Sequence, residues 1–288
     1  MTMVLLAAAW IAGNYVPPAE NDYKAFFKRF PAPLIVDEVQ RLPELLAQIQ
    51  VIVDENGKKP GQFVVTGSQQ NELAAAVDES LAGRCCVLDL MPFALSELQD
   101  LTGDLTTDEI LLRGLMPELW MTQKNPTLYY RNYFRTYVER DVRQVQNVTE
   151  ISRPTAEKWI SVLETSYIIF RLQPYYANIK KRLVKSPKLY FYDTGLACYL
   201  LGITKPADIE QFYLRGALFE NLIVSDFLKQ RYFTGLESNL FFYRDKNNVE
   251  VDLITKEFQF LKAYEIKAGA TRNQDFLKNI KLLVRNGI

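Results

Sequence analysis

The sequence feature that most constrains the fold is a continuous apolar run that ends in two adjacent acids. Pro33 to Val36 contains no polar residue, and Asp37 and Glu38 follow directly. A run without polar alternation is typical of a parallel strand covered on both faces, so we predict a buried strand here. Its acidic end would lie where open α/β sheets bind ligands. A solvated acidic turn after an ordinary core strand is the alternative.

The following segments repeat this pattern of apolar run and polar end. A second apolar run ends in Thr66 and Ser68, and a third run at residues 85–90 follows Arg84. Residues 91–98 then begin a helix. Because ligands of an open α/β sheet gather at one edge, we expect the hydroxyl groups of the second run beside the acidic pair.

The order and the sequences of these segments resemble a prokaryotic family of AAA-type ATPases that carry a C-terminal domain of unknown function (DUF4143). The pieces are IVDEVQRLPELL, TGSQQ, SLAGR and LMPFALSEL. The resemblance implies a Walker B strand, in which Asp37 serves the magnesium shell and Glu38 lies near the attacking water. It also implies a sensor strand that delivers Thr66 and Ser68, with Arg84 facing phosphate. For Arg84, a surface arginine after a tight turn is the alternative.

The sequence contains no G-x-x-x-x-G-K-[ST] segment, the loop that cradles nucleotide phosphates. In the family this loop precedes the acidic strand by several tens of residues, so we expect a chain that is truncated, rearranged or degenerate at its start. The family resemblance implies ATP and magnesium as cofactors. Because the phosphate loop is missing, we expect no ATP hydrolysis by this chain. Residues 1–13 are apolar without a preceding positive charge, which predicts buried core rather than a signal or a membrane span.

Charge is balanced over the whole chain but uneven along it. Residues 1–119 contain 8 Lys and Arg against 17 Asp and Glu, residues 120–193 contain 13 against 6, and residues 194–288 contain 13 against 11. These segments, with net charges of −9, +7 and +2, are the predicted AAA-type domain, a helical and winged-helix-like linker, and a nuclease-like domain. The middle segment alone has a basic excess suited to nucleic acid.

The cysteine and histidine counts limit the chemistry. The three cysteines, Cys85, Cys86 and Cys198, lie in apolar surroundings, which predicts reduced core thiols of a cytosolic protein. The absence of histidine excludes Ser-His-Asp and Cys-His catalysis and every zinc site that contains histidine. Carboxylates, lysines and backbone groups are left for any reaction.

The basic segment predicts two helices. Residues 128–148 predict one long amphipathic helix with an aromatic core stripe that includes Tyr130 and Tyr137. Residues 151–164, with Pro154 in the first turn, predict a helix that resembles the recognition helix of a winged helix-turn-helix. Its expected supporting helices are missing from the sequence, so a helix without DNA contact is the alternative. The resemblance implies DNA contacts from this helix and a following wing at Arg153, Lys158, Lys180, Lys181, Arg182 and Lys185.

The last segment predicts a helix from residue 215, three strands and a closing helix. This αβββα order, with Asp252 and then Glu265-Ile266-Lys267, resembles the PD-(D/E)XK nuclease pattern. Glu265 and Lys267 share one strand face, and Asp252 on the adjacent strand would complete a magnesium site of oxygen ligands. Lys267 would orient or deprotonate the attacking water, and Glu220 would add a ligand. A cross-strand ion pair is the alternative. Asp193, directly before this last segment, is predicted to cap the helix that follows it.

These patterns predict an α/β protein with a partial P-loop NTPase-like parallel sheet, a helical and winged-helix-like linker, and a C-terminal αβββα restriction-endonuclease-like domain. The predicted function is ATP binding in the AAA-type family without hydrolysis. A metal-dependent nuclease and a non-catalytic DNA-binding or assembly module are the alternatives. We expect a cytoplasmic protein whose partners are DNA and further copies of itself, not a membrane.

Overall fold

Two compact units make up the structure, an N-terminal unit of Met1–Val87 and a C-terminal unit of Leu88–Ile288. The predicted division into three segments at residues 119 and 193 stays a prediction. The computed structural model describes residues 9–11, 23–39, 42, 44–57, 59–67, 77, 79–138, 153–176, 186–245, 249–269 and 274–285.

The N-terminal unit contains a parallel three-stranded sheet in the order β1-β2-β3. In its register Val36 of the central strand lies beside Ile11 and Val65, so the three strands end at one edge. Two helices, Tyr23–Arg29 and Glu44–Glu55, accompany the sheet. The strands are β1 Ala9–Ile11, β2 Leu34–Val36 and β3 Phe63–Val65.

The central strand β2 is buried, as its apolar run predicts. Leu34 and Val36 are almost inaccessible and share a core with Leu45, Leu46 and Ile49 of the second helix. The apolar face of that helix therefore covers the strand. Burial of these side chains is the main favourable contribution to the folding free energy of this small sheet.

The third apolar run differs from the prediction. Residues 85–90 form neither a helix nor a strand, and Leu90 is 97% exposed. Cys85 and Cys86 are also exposed, whereas Cys198 is buried. The prediction of core thiols is therefore wrong for the first two cysteines. Hydrophobic composition shows that a run can be buried, but not whether another element is there to cover it.

The C-terminal unit contains a five-stranded sheet in the order β5-β4-β6-β7-β8. Neighbouring strands pair antiparallel except for β4 and β6, which run parallel. The strands are β4 Ile169–Pro174, β5 Lys188–Phe191, β6 Leu240–Arg244, β7 Glu250–Glu257 and β8 Phe260–Tyr264.

The predicted αβββα order is confirmed. The long helix Arg215–Phe233 precedes β6, β7 and β8, and the closing helix is Lys278–Arg285 after a 3-10 turn, Gln274–Leu277. Val224 and Leu228 of the long helix are buried in the core that lies on the sheet. The mixture of helices with sheets that contain parallel strands confirms the α/β class.

The predicted wing is not a separate element. β4 and β5, the two strands of the predicted wing, pair antiparallel, but β4 also pairs with β6 through Gln173 and Pro174. The hairpin is therefore the edge of the five-stranded sheet, and the linker and nuclease-like segments share one sheet. Pairing between strands distant in sequence cannot be deduced from either segment alone.

Further helices surround this sheet. In the part of the chain that the structure describes, no helix is long and apolar enough to cross a membrane. The further helical segments are Leu95–Leu98 (3-10), Gln99–Thr102, Thr107–Arg113, Pro117–Met121, Pro126–Tyr133, Arg153–Thr165, Thr194–Leu200 and Pro206–Glu210.

The predicted long helix of residues 128–148 is described as far as Val138. It runs as Pro126–Tyr133 and continues as a π-helix, Phe134–Val138. Tyr130 is buried as predicted, but Tyr137 is 49% exposed. The core position predicted for Tyr137 is wrong because a π-helical turn changes the angular spacing of side chains. The remaining part of the prediction lies outside the described residues.

Asp193 caps a helix, as predicted, and also fixes a second loop. Its carboxylate accepts the N–H of Leu196 at 3.0 Å and the N–H of Leu115 at 2.6 Å. A Cβ added at Gly114, whose φ is +71°, would meet this carboxylate and the hydroxyl of Tyr130. Glycine is therefore required at this turn both by the backbone conformation and by the space.

Candidate functional sites

The first candidate site lies where β2 and β3 end. Thr66 follows β3, and its hydroxyl donates a hydrogen bond to Oδ1 of Asp37. The backbone N–H of Thr66 donates to the carbonyl of Val36 at 2.9 Å, and the N–H of Val39 donates to the carbonyl of Thr66 at 3.0 Å. The ladder of parallel hydrogen bonds thus continues past both strands. It brings a carboxylate and a hydroxyl together, as the two apolar runs predict.

Glu38 has an unusual backbone conformation at this edge. Its φ of +54° lies in the left-handed region, which residues other than glycine rarely adopt. Such conformations cluster at functional sites, where surrounding contacts hold them in place. The conformation turns the chain sharply after β2, directly beside the contact between Asp37 and Thr66.

The second candidate site lies where β7 begins and β8 ends. β8 stops at Tyr264, so Glu265 and Lys267 follow it, and the prediction that they share one strand face is wrong. Nζ of Lys267 lies 3.1 Å from Oδ2 of Asp252 and 2.9 Å from Oε1 of Glu265. The backbone N–H of Ile266 donates to the same Oδ2 of Asp252 at 2.8 Å. The three residues that the nuclease-like pattern singles out therefore form one contiguous group.

Burial and ion pairing act in opposite directions on the pKa values of this group. The side chain of Glu265 is only 8% exposed, and burial raises the pKa of its carboxyl although the Lys267 ammonium opposes that shift. Its Oε2 is buried and accepts no hydrogen bond from any residue that the structure describes. Burial lowers the pKa of Lys267, but hydrogen bonds from its ammonium to Glu265 and Asp252 outweigh burial and give a net rise.

Glu220, the predicted additional ligand, has partners outside this group. Its Oε1 accepts hydrogen bonds from Nζ of Lys188 at 2.9 Å and from the hydroxyl of Tyr190 at 2.5 Å. Nζ of Lys188 also lies 2.5 Å from Oε1 of Glu250. Burial lowers the pKa of Lys188, but its bonds to Glu250 and Glu220 outweigh burial and raise it.

Three families match parts of this chain. Residues 14–99 match the AAA domain, residues 105–151 and 145–207 match a domain of unknown function (DUF8612), and residues 215–286 match another (DUF4143). The chain joins an AAA domain to a DUF4143 domain. The expected family resemblance is therefore confirmed, and an AAA domain is of the nucleotide-binding, ATPase-like kind.

Two curated relatives extend the comparison over most of the chain. They are the uncharacterized proteins Rv2008c of Mycobacterium tuberculosis and Mb2031c of Mycobacterium bovis, each 26% identical over 269 residues. Each match covers 83% of this chain and 59% of the relative, so the chain spans about 59% of their length. No solved structure matches the chain.

Arg84 and Ser68 are further predicted nucleotide residues of the AAA domain. Arg84 makes a bidentate pair with Asp54, with both Nε–Oδ1 and Nη2–Oδ2 at 2.9 Å. This pair favours the surface alternative for Arg84, whose phosphate role stays a prediction. Ser68 lies outside the described residues. Asp37 and Thr66 are the predicted nucleotide residues that a side-chain hydrogen bond joins at the sheet edge.

The predicted DNA contacts find limited structural support. Lys158 is exposed on the helix Arg153–Thr165, but Arg171 of β4 lies 3.3 Å from Glu157 and 2.8 Å from Glu164 of the same helix. The helix is therefore tied to the sheet and carries acids as well as bases. The side chain of Arg153, together with Lys180, Lys181, Arg182 and Lys185, lies outside the described residues.

Sequence patterns missed the contacts that β5 makes with Glu220. Lys188 and Tyr190 fall within the DUF8612 match, yet both contact Glu220 of the long helix. Their two-residue spacing shows that they share a strand face. It does not show which helix covers that face, since the contact joins residues about thirty positions apart.

Proposed function

We propose that the AAA domain supplies the magnesium-facing side of a nucleotide site at the ends of β2 and β3. The observation that carries this proposal is the hydrogen bond between Asp37 and the Thr66 hydroxyl. Carboxylate and hydroxyl oxygens are ligands that magnesium accepts in proteins. The match to the AAA domain supports a nucleotide as the molecule that brings the ion.

The residues at this edge fit magnesium better than they fit a triphosphate. Asp37 would hold the ion, directly or through water, and Thr66 orients its carboxylate. The sequence has no G-x-x-x-x-G-K-[ST] loop, and the guanidinium of Arg84 is held by Asp54. We therefore assign no hydrolytic step to this chain and expect weak binding of a magnesium–nucleotide complex without turnover.

Fluorescence anisotropy of a labelled ATP analogue tests this proposal. Wild-type chain should bind the analogue in magnesium, and Asp37→Ala should weaken binding about tenfold, as loss of a metal-positioning group does. Glu55→Ala, which removes an exposed carboxylate of the same unit, is the matched control and should bind like wild type. Chelating magnesium should reproduce the effect of Asp37→Ala. No binding by wild-type chain at millimolar analogue would overturn the proposal.

A second candidate function belongs to the DUF4143 domain, which we propose acts on phosphodiester bonds of nucleic acid with a divalent cation. The observation that favours it is Oε2 of Glu265, a buried oxygen to which no described residue donates. A buried polar atom without a partner needs an explanation, and a bound ion is one. Asp252 and Glu265 are hard oxygen ligands of the kind that magnesium prefers.

The fit at this second site is to an ion held by few protein ligands. Among the described residues, no three carboxylates or thiols lie close enough together to hold a metal. Magnesium is commonly bound by one or two carboxylates, with water and substrate phosphate in the other positions, and would lower the pKa of a bound water. Lys267 contacts both carboxylates while 40% of its side chain stays exposed, so its ammonium can orient a water or a phosphate oxygen.

Plasmid nicking measures this second function directly. Wild-type chain should nick supercoiled plasmid in magnesium but not in EDTA, and Lys267→Ala should abolish nicking. Lys262→Ala removes an ammonium from the same region, paired with Glu257 at the surface, and should leave nicking unchanged. DNA binding that weakens steeply with salt, survives Asp252→Ala and occurs without nicking would instead support the non-catalytic binding module.

A further inference from the structure

The ammonium of Lys188 on β5 joins two carboxylates that belong to other elements. Its Nζ lies 2.9 Å from Oε1 of Glu220 on the long helix and 2.5 Å from Oε1 of Glu250 on β7. All three side chains are mostly buried, so the attraction between these charges is stronger than at the surface. One positive charge therefore bridges two carboxylates, as a shared metal ion does in other proteins.

A third neighbour of this ammonium is an aromatic ring. Nζ of Lys188 lies 5.4 Å from the centre of the Phe242 ring, within the range of a cation–π contact, and that ring is buried. Magnesium requires oxygen ligands in near-octahedral geometry, and an aromatic ring supplies none. The surroundings of Nζ therefore suit an ammonium better than they suit a magnesium ion.

The bridge lies within electrostatic reach of the second candidate site. Burial raises the pKa of Glu265, and the carboxylates of Asp252 and Glu250 raise it further. Burial also raises the pKa of Tyr190, whose hydroxyl donates to Glu220, and the carboxylates of Glu220 and Asp252 add to that rise. The carboxylates of the bridge and those of the site therefore act on each other as one charged group.

The charges of this group favour a single divalent cation. Within the described chain, ion pairs join four carboxylates to three cations here, a net charge of −1 when all are ionised. One divalent cation would turn this into one positive charge, which a phosphodiester group neutralises. A second would add two uncompensated charges in mostly buried surroundings, where such charges are costly. The carboxylates are Glu220, Glu250, Asp252 and Glu265, and the cations are Lys188, Arg244 and Lys267.

We propose that Lys188 is a positioning residue that holds Glu220 and Glu250 away from the metal, so that the DUF4143 site takes one divalent cation, at Asp252 and Glu265. The proposal rests on the second candidate function and deepens it. Many sites that act on phosphodiester bonds hold two metal ions between their carboxylates, and Lys188 takes the place of the second ion here. A residue of β5, outside the DUF4143 match, thus determines how many ions that domain holds.

Counting bound manganese by electron paramagnetic resonance tests the proposal, because manganese accepts the same carboxylate ligands as magnesium. Every chain carries Asp37→Asn, so that the edge of the AAA domain contributes no ion. Adding Asp252→Ala should remove about one bound ion per chain. A loss of two ions would overturn the proposal and leave the second candidate function standing. A count that Asp252→Ala does not change would overturn that function, and the proposal with it.

Removing the bridging ammonium should have the opposite effect on the count. Lys188→Met keeps the length of the side chain and releases Glu220 and Glu250, so this chain should bind about one manganese ion more than its Asp37→Asn parent. Lys262→Met removes an ammonium that is paired with Glu257 at the surface, and it should leave the count unchanged. An unchanged count in folded Lys188→Met would overturn the proposal.

Thermal unfolding separates the proposed role of Lys188 from a merely structural one. Loss of a mostly buried cation should lower the melting temperature of Lys188→Met in either case. Saturating manganese should then raise the melting temperature of Lys188→Met by more than it raises that of the parent, because the additional ion binds only to the folded chain. Equal increments would overturn the proposal. Where Lys188→Met does not fold even with manganese, the count lost with Asp252→Ala decides, since that chain keeps Lys188.

Discussion

The two candidate sites hold their carboxylates in different ways. In the N-terminal unit, Asp37 accepts a hydrogen bond from the neutral hydroxyl of Thr66. In the C-terminal unit, Asp252 and Glu265 share the ammonium of Lys267. The hydrogen bond to Thr66 adds no positive charge at Asp37, and no described residue forms an ion pair with it, whereas the second group contains its own cation. The second group is therefore in part neutral before any ligand arrives.

The largest expected effect follows from removing the internal cation. Lys267→Met leaves two carboxylates with little solvent exposure and no shared counter-ion. Breaking a buried pair costs roughly 3–5 kcal/mol, and the partial exposure of Lys267 reduces this, so we expect a loss of about 2 kcal/mol in unfolding free energy. Urea unfolding measures it, with Lys262→Met as a control because its partner Glu257 is exposed. Equal losses in the two variants would contradict the assigned difference.

How far each site could be predicted depends on sequence separation. The contact between Asp37 and Thr66 follows from two apolar runs that are parallel neighbours, and parallel strands end at a common edge. Asp252 lies on β7, and Glu265 and Lys267 directly follow β8, its antiparallel neighbour across a short turn. In both cases local sequence patterns and one assumption about strand pairing were sufficient to predict which residues lie together.

Contacts that depend on packing between distant elements could not be predicted. Glu220 is a plausible ligand in the sequence pattern, but the structure joins it to Lys188 and Tyr190 of β5. β5 enters this region because β4 pairs with β6, which no pattern in either segment indicates. The exposure of Cys85 and Cys86 could not be predicted for the same reason, since burial of a run depends on a neighbour that is often distant in sequence.

Lys229 and Lys267 show how carboxylate partners, as well as burial, set the pKa of a lysine. Lys229 is fully buried, and its Nζ donates to the carbonyl of Phe93 at 3.2 Å. Burial lowers its pKa to about 8, although Asp193, Asp226 and Glu97 oppose that shift. Lys267, with two carboxylate partners, has a raised pKa instead.

The depressed pKa of Lys229 predicts a pH dependence of stability. Above pH 8 the folded protein loses this proton while the unfolded chain keeps it up to about pH 10, so the unfolded state binds more protons. Stability of wild type relative to Lys229→Met should therefore rise, by on the order of 1 kcal/mol between about pH 8 and 9.5. Urea unfolding of both proteins over this range gives the difference. Parallel curves would show that Lys229 does not titrate there.

Backbone strain gives a third comparison, within the first site. Glu38→Gly should stabilise the chain by about 1 kcal/mol, because glycine adopts the left-handed conformation with φ of +54° without the steric penalty of a side chain. Glu38→Ala removes the same carboxylate but keeps the strain, so it should not stabilise. Thermal or urea unfolding separates the two. Equal effects of the two substitutions would assign the change to the carboxylate instead of the backbone.

The smallest effect is expected at the carboxylate with the neutral partner. Asp37→Asn keeps an oxygen that accepts the Thr66 hydroxyl, and it removes a charge that this contact does not compensate. Unfolding free energy should therefore change by less than about 0.5 kcal/mol. Magnesium should raise the melting temperature of wild type but not of the variant, because only a carboxylate supplies the charge that attracts the ion. A loss as large as that of Lys267→Met would mean that Asp37 is a structural charge, and the two edges would then be alike.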